Sequence, residues 1–228
     1  MATKAEAPVE PRIPLTRDRI LGAAIDLADR GGIESVSMRK VGQELGVEAM
    51  SLYNHVANKG EMLAGMVDVV MSEIELSPGG PDWKTALRNQ VMSARRVMAH
   101  HPWAAIVIEG QNDPTPTLMA YFDSIVGIMR QGGFSYDLIH HGMHALGSRA
   151  LGFSQELFDD SDPAGESPEV AAAMIEQMIQ AFPNMSAMMQ EITHEDETVV
   201  GQGCDDNIEF TFALDLILDG LDRLRTYA

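Results

Sequence analysis

Cysteine is nearly absent from this chain: Cys204 is the only one in 228 residues. A lone thiol can neither close an intramolecular disulfide nor assemble a zinc site by itself. No run of about 18 apolar residues occurs, and Met1 to Leu15 carries prolines and scattered charge where a secretory leader would be apolar. Neither a membrane span nor secretion is expected, and the cysteine usage fits a cytoplasmic address. The marks of common enzyme classes are missing too. There is no phosphate-cradling glycine loop, no Gly-x-Ser-x-Gly elbow, no Cys-x-x-Cys pair and no dinucleotide fingerprint, so an enzyme is not the leading expectation. Positive charge is also scarce: 16 Lys and Arg face 34 Asp and Glu, for a net charge of -18. That balance ordinarily argues against a nucleic-acid partner, because phosphate contacts need cations.

What is present is a globular composition, with 45% hydrophobic and 22% charged residues. The length allows one large domain or two unequal ones. The acidic charge is unevenly spread. Up to Gly60, the eight cations Lys4, Arg12, Arg17, Arg19, Arg30, Arg39, Lys40 and Lys59 balance eight carboxylates, and everything after Gly60 carries the whole deficit. Such segregation suggests two parts with different partners, and an acidic remainder would repel DNA and help orient the molecule on it.

The periodicity is helical throughout, and no segment alternates in the way a half-buried strand does. The expected fold is all-α. Residues 1–14, with Pro8, Pro11 and Pro14, read as a flexible arm. Thr16 caps a first helix whose Ile20, Leu21, Ala24, Ile25 and Ala28 recur at three and four, and Gly31-Gly32 stops it. Ser37 caps a second helix, Met38 to Leu45, ended by Gly46, which takes the left-handed turn that a Cβ resists. A third short helix covers about Glu48 to His55. Asn58 caps a fourth that runs over 58–76, a rod of roughly 28 Å at about 1.5 Å per residue, broken by Ser77-Pro78-Gly79-Gly80-Pro81. Further helices are predicted from Asp82 to His100, Thr115 to Gln131, Ser135 to Leu157, Ser167 to Phe182 and Asp206 to Tyr227. A short apolar piece is expected at Trp103 to Ile108, and acidic mobile loops at 159–165 and 194–206.

Two short helices joined by a glycine turn, behind one packing helix, form the helix-turn-helix arrangement that lays its second helix in the major groove. Gly42, four residues before Gly46, leaves no side chain to hold the two helices apart. The stretch from Gly46 through Lys59, with its Leu52-Tyr53-x-His55-Val56-x-Asn58-Lys59 core, resembles the recognition segment of the TetR family of transcriptional repressors. The likeness covers Leu15 to about Met71. More loosely, Trp83 to Glu156, including His101-Pro102-Trp103 and Gly133-Phe134-Ser135, is similar to the ligand-binding domain of the tetracycline-repressor branch.

The resemblance implies a helix-turn-helix domain over 15–60 and a ligand-binding and dimerisation domain over 61–228. It also implies roles residue by residue. Ser37, Tyr53 and Lys59 would touch phosphates, Lys59 beside the amino end of the fourth helix, where free N–H groups favour an anion. Arg39, Ala49, Met50, Ser51, Asn54 and His55 match positions facing base edges, where Arg takes guanine, Asn takes adenine and apolar groups meet thymine methyls.

The last helix is apolar around most of its circumference, and the Ser135 to Leu157 helix is rich in small residues. Two such helices from each of two chains would build a four-helix interface, as the resemblance also implies. The candidates are Gly142, Leu146, Ala150, Phe210, Leu214, Ile217, Leu218 and Leu221. Methionine is abundant, at 16 residues, and suits either plain core or an adaptable cavity. The candidate effector wall is Met66, Trp103, Ile106, Met119, Phe122, Met143 and Leu146. His140 and His144 share a helical face at a metal-gripping spacing, and His100, His101 and Glu156 match the region where the tetracycline branch holds a magnesium-bound drug. A histidine ending a helix before Pro102 is equally explained by the helix dipole, and Glu75 stands where that branch has a drug-contacting histidine. No metal or cofactor is therefore expected. The expected partners are a palindromic duplex, an unknown small-molecule effector and a second copy of the chain. The alternatives are an acidic helical protein-binding module and, behind it, an enzyme.

Overall fold

The computed structural model describes residues 14–77, 82–111, 114–151, 180–184, 187 and 206–225. Its regular elements are α1 (Arg17–Gly31), a 3-10 turn at Ile33–Ser35, α2 (Met38–Leu45), α3 (Ala49–Leu52), α4 (Lys59–Ser72), α5 (Trp83–His100), α6 (Trp103–Gly110), α7 (Pro116–Gln131), α8 (Tyr136–Leu151) and α9 (Asp206–Arg225). No strand occurs among the described residues, and none of their helices is long and apolar enough to cross a membrane. The chain divides into two compact units, Met1–Gly132 and Gly133–Ala228. The arm over residues 1–13, the predicted helix at 167–182 up to residue 179, and the two acidic loops up to residue 205 lie outside the described residues.

Local capping decides where most helices begin. The hydroxyl of Thr16 accepts from the Arg19 amide at 3.2 Å, Ser37 from Lys40 at 3.3 Å, Asn58 from Glu61 at 2.9 Å, Asp82 from Thr85 at 3.2 Å and Thr115 from Leu118 at 3.3 Å. Each satisfies an amide that the helix geometry leaves without an intrahelical acceptor. The apolar stripe of α1 (Ile20, Leu21, Ala24, Ile25, Ala28) is buried, as are Val36, Val41, Leu52 and Val56. These form the core of a small three-helix head, with α1 packed on α2 and α4. A Cβ at Gly65 on α4 would lie 2.8 Å from the Arg17 guanidinium and 2.9 Å from a methyl of Leu21, so these α1 side chains lie directly against the α4 backbone there.

Two elements are shorter than the periodicity predicts. In α3 the α-helix stops at Leu52, and the chain reaches Val56 through three-residue turns, Asn54 N to Ser51 O at 3.4 Å and His55 N to Leu52 O at 2.9 Å. Helix α4 ends at Ser72 rather than near Leu76. Beyond it the backbone amides bond sideways: Glu75 N donates to the Ser93 hydroxyl and Ser77 N to the Gln90 carbonyl, both at 3.0 Å. Side chains of α5 thus replace the next intrahelical turn, and the rod is about 21 Å long. The apolar piece after Pro102 is a full helix, α6, reaching Gly110.

In the second unit α8 and α9 pack against each other. Gly142, Leu146, Phe210, Leu214, Leu218 and Leu221 are buried within the protomer. They lie on the stripe that each helix turns inward within the protomer; Ile217 is half-buried, and the side chain of Ala150 lies outside the described residues. The outward side of α9 instead carries Phe212, Leu216 and Leu224, exposed by 49%, 58% and 55%.

Candidate nucleic-acid interface

Helices α2 and α3 are held by two glycines for different reasons. Gly46 adopts φ 67°, the left-handed conformation, and its amide bonds to Gln43 O. Gly42 has no room for a side chain: a Cβ there would lie 2.9 Å from the Val47 carbonyl oxygen and 3.2 Å from the Ala49 amide nitrogen. The first residue of α3 therefore rests against α2. Val41 and Leu52 plug the inner side, which fixes the outer side of α3 relative to the rest of the head.

On that scaffold Met50 is 74% exposed and Tyr53 44% exposed. Arg39, Lys40, Asn54 and Lys59 are also exposed, whereas Ser37, Ala49, Ser51 and His55 are half-buried. Ser37 already accepts the Lys40 amide, so only its O–H is left to offer a phosphate. Tyr53 projects outward, while its neighbours Leu52 and Val56 are buried.

The start of α4 differs from the expected bare anion site. Glu61 places its carboxylate there: its Oε2 accepts from the Ala57 amide at 2.6 Å, while its own amide bonds to Asn58. This reciprocal cap satisfies two donors internally. The amides of Lys59 and Gly60, together with the Lys59 ammonium, are the first-turn groups left to attract an anion.

A polar cluster behind the head was not legible in the sequence. Asp29 Oδ1, near the end of α1, lies 2.8 Å from His101 Nδ1 and accepts from Trp103 Nε1 at 2.6 Å. His101 Nε2 faces Glu73 Oε2 at 3.4 Å. The available signal was electrostatic: a carboxylate in the last turn of a helix opposes the dipole, and such a placement calls for a tertiary reason. The His101 ring is bound by Asp29 at Nδ1, while Nε2 makes no hydrogen bond and only faces Glu73, an arrangement that does not converge three ligands on one metal. No group of three or more metal-binding side chains occurs among the described residues. His100 stacks edgewise on His101, with ring centroids 4.6 Å apart. His140 and His144 are exposed on α8 with centroids 4.6 Å apart; Glu156 lies outside the described residues.

The candidate effector-wall residues differ in exposure and are divided between the two units. Met66 is fully buried and Trp103 is committed to Asp29, while Ile106 and Met119 are 63% and 52% exposed. Phe122 is half-buried; Met143 and Leu146 belong to the second unit. Buried polar groups that apolar patterning overlooked stand out instead. Gln90 is fully buried and donates from Nε2 to the Ser124 hydroxyl at 2.5 Å. Burial also pushes the Tyr121 phenol up to about 12, so it stays a neutral hydroxyl across the physiological range.

Residues 20–66 match the model of bacterial regulatory proteins of the tetR family, and residues 77–225 match the tetracyclin repressor-like C-terminal domain. The chain is 28% identical to the HTH-type transcriptional repressor DrrR1 of Streptomyces coeruleorubidus over 225 residues, 94% of this chain and 80% of that one. It is 35% identical over 121 residues to an HTH-type transcriptional regulator of Saccharopolyspora erythraea, a match covering 53% of this chain and about half (51%) of that protein's length. Among solved structures, Streptomyces coelicolor ActR in complex with actinorhodin superposes with a TM-score of 0.70 at 26% identity, over 93% of this chain and 99% of that one. The capped α2, the glycine turn and the outward Met50 and Tyr53 are thus the helix-turn-helix of a chain that belongs to the tetR family of bacterial transcriptional regulators.

Proposed function

We propose that this chain is a cytoplasmic, dimeric repressor that reads a palindromic operator through α2 and α3 and is released when a small molecule binds its C-terminal domain. One observation carries the reading. Met50, a large apolar side chain, is held 74% exposed on a helix anchored by Leu52 and Gly42, and exposed Arg39, Tyr53, Asn54 and Lys59 accompany it, a mix of one apolar tip with cations and amides that suits a partner offering methyls, base edges and phosphates. Duplex DNA is such a partner.

In this reading residues 15–60 form the reading head and residues 61–228 the ligand and dimer part. Ser37, Tyr53 and Lys59 hold phosphates, while Arg39, Met50, Asn54 and the half-buried Ala49, Ser51 and His55 border the bases. The repressor DrrR1 and the actinorhodin complex of ActR support the regulatory role and the organic effector. A two-fold dimer, with the outward face of α9 as the candidate pairing surface, would present two heads to half-sites roughly 34 to 36 Å apart, one turn of duplex. An effector that prefers a different spacing releases the operator by population shift, and a preference of about 3 kcal/mol lowers affinity roughly 150-fold.

The test is selection from a randomised duplex library at two salt concentrations. Enrichment of a palindrome with half-sites about one helical turn apart is expected, with affinity falling steeply as salt rises. Retention of no sequence at either salt would overturn the reading.

A further inference from the structure

The buried cluster around His101 joins the ends of three helices to the start of a fourth. His101 caps α5 and is 4% exposed. Its Nδ1 meets Asp29 from the last turn of α1, its Nε2 faces Glu73 at the end of α4, and Trp103 at the start of α6 gives its indole N–H to the same Asp29 oxygen. A carboxylate has only acceptor sites, and Asp29 gathers its donors from the α5–α6 corner rather than from the head it belongs to. The neighbouring Arg30 makes the opposite link: its guanidinium binds Glu44 of α2 at 2.7 Å. Helix α2 in turn carries Gly42, against which α3 rests.

A continuous set of contacts therefore runs from the first residue of α6, through the last turn of α1, to α2 and the recognition helix. It runs alongside the direct packing of α4 on α6.

We infer that Asp29 is a positioning residue: it locks the last turn of α1 to the start of α6, so that a displacement of α6 reaches the recognition helix through α1 as well as through α4. The inference rests on the DNA-reading role proposed above. Because coupling between sites is reciprocal, it can be tested from the DNA side without an effector.

The selected operator duplex is titrated into the full chain. Binding is followed by the anisotropy of a labelled duplex. The response of α6 is followed separately, by Trp103 emission in a Trp83→Phe background and by hydrogen exchange of the 103–110 amides in the unaltered chain. In the wild type, duplex binding is expected to shift the emission and slow the exchange. In Asp29→Ala the duplex still binds but both α6 responses are lost, and Asp29→Asn, which keeps one acceptor oxygen, restores part of them. If Asp29→Ala does not fold, Glu44→Ala, which cuts the same set of contacts at an exposed pair, is expected to diminish the α6 response. A full α6 response in these variants, or no response in a wild type that binds duplex, overturns the inference. A wild type that binds no duplex at all overturns the DNA-reading role and the inference with it.

Discussion

Single residues in the head divide between those that shape it and those that offer chemistry, and the two kinds should fail differently. Gly42→Ala puts a methyl 2.9 Å from the Val47 carbonyl oxygen, a backbone atom that cannot turn aside. Overpacking of this kind costs about 1–3 kcal/mol, and chemical denaturation should show that loss together with weaker operator binding. Arg39→Ala leaves the fold intact, because the side chain is exposed; it should remove about 1–3 kcal/mol of discrimination at one base pair. Lys59→Ala should instead weaken binding to all duplexes and reduce the salt slope by about 1. Binding isotherms on operator and random duplex over a salt series separate the two, and equal effects on both duplexes would refute the division. Gly46, Ser37 and Asn58 were readable in the sequence because each acts on its own neighbours. Asp29 was not, since its partners lie more than seventy positions away and nothing local marks them.

Among the elements, the caps make the most direct prediction. The Thr85 hydrogen bonds hold the Asp82 carboxyl below its ordinary value. A carboxyl whose folded value is depressed stabilises the fold above its unfolded value, and that contribution fades as pH falls through the folded one. Asp82→Ala should therefore lower Tm at neutral pH, and the gap to wild type should close in the acid range. Thermal melts from neutrality down to about pH 2 check this, and a gap that stays constant would mean the cap acts without its charge. The starts of α1, α2, α4, α5 and α7 were legible because capping is a local hydrogen bond. The end of α4 was not: Ile74 continues the buried pattern, yet Ser93 and Gln90 of α5 take the amides of Glu75 and Ser77.

At the scale of the whole molecule, burial rather than hydrophobicity determines which apolar residues are left for a second chain. Leu218 is fully buried and Leu216, two positions earlier, is 58% exposed. Leu218→Ala should cost about 2–5 kcal/mol of stability through the cavity it leaves. Leu216→Arg should leave the fold standing and dissociate the proposed dimer, seen as a halved mass in sedimentation. A dimer that survives Leu216→Arg would place the interface elsewhere. The charge is also a property of the whole: the net -18 lies after Gly60, so the acidic remainder is repelled by the duplex that the neutral head reads.

The sequence by itself determined the helical class, the capped starts of its helices, the glycine turn and the recognition segment, because each depends on residues within a turn or two of one another. It also marked α9 as apolar on more than one side. Only the tertiary structure decided which side of α9 faces inward, where α4 stops, how Glu61 occupies the head of that helix and why an aspartate sits at the end of α1. Those outcomes depend on which distant side chain reaches a backbone amide or a carboxylate first, and such competition has no period along the chain.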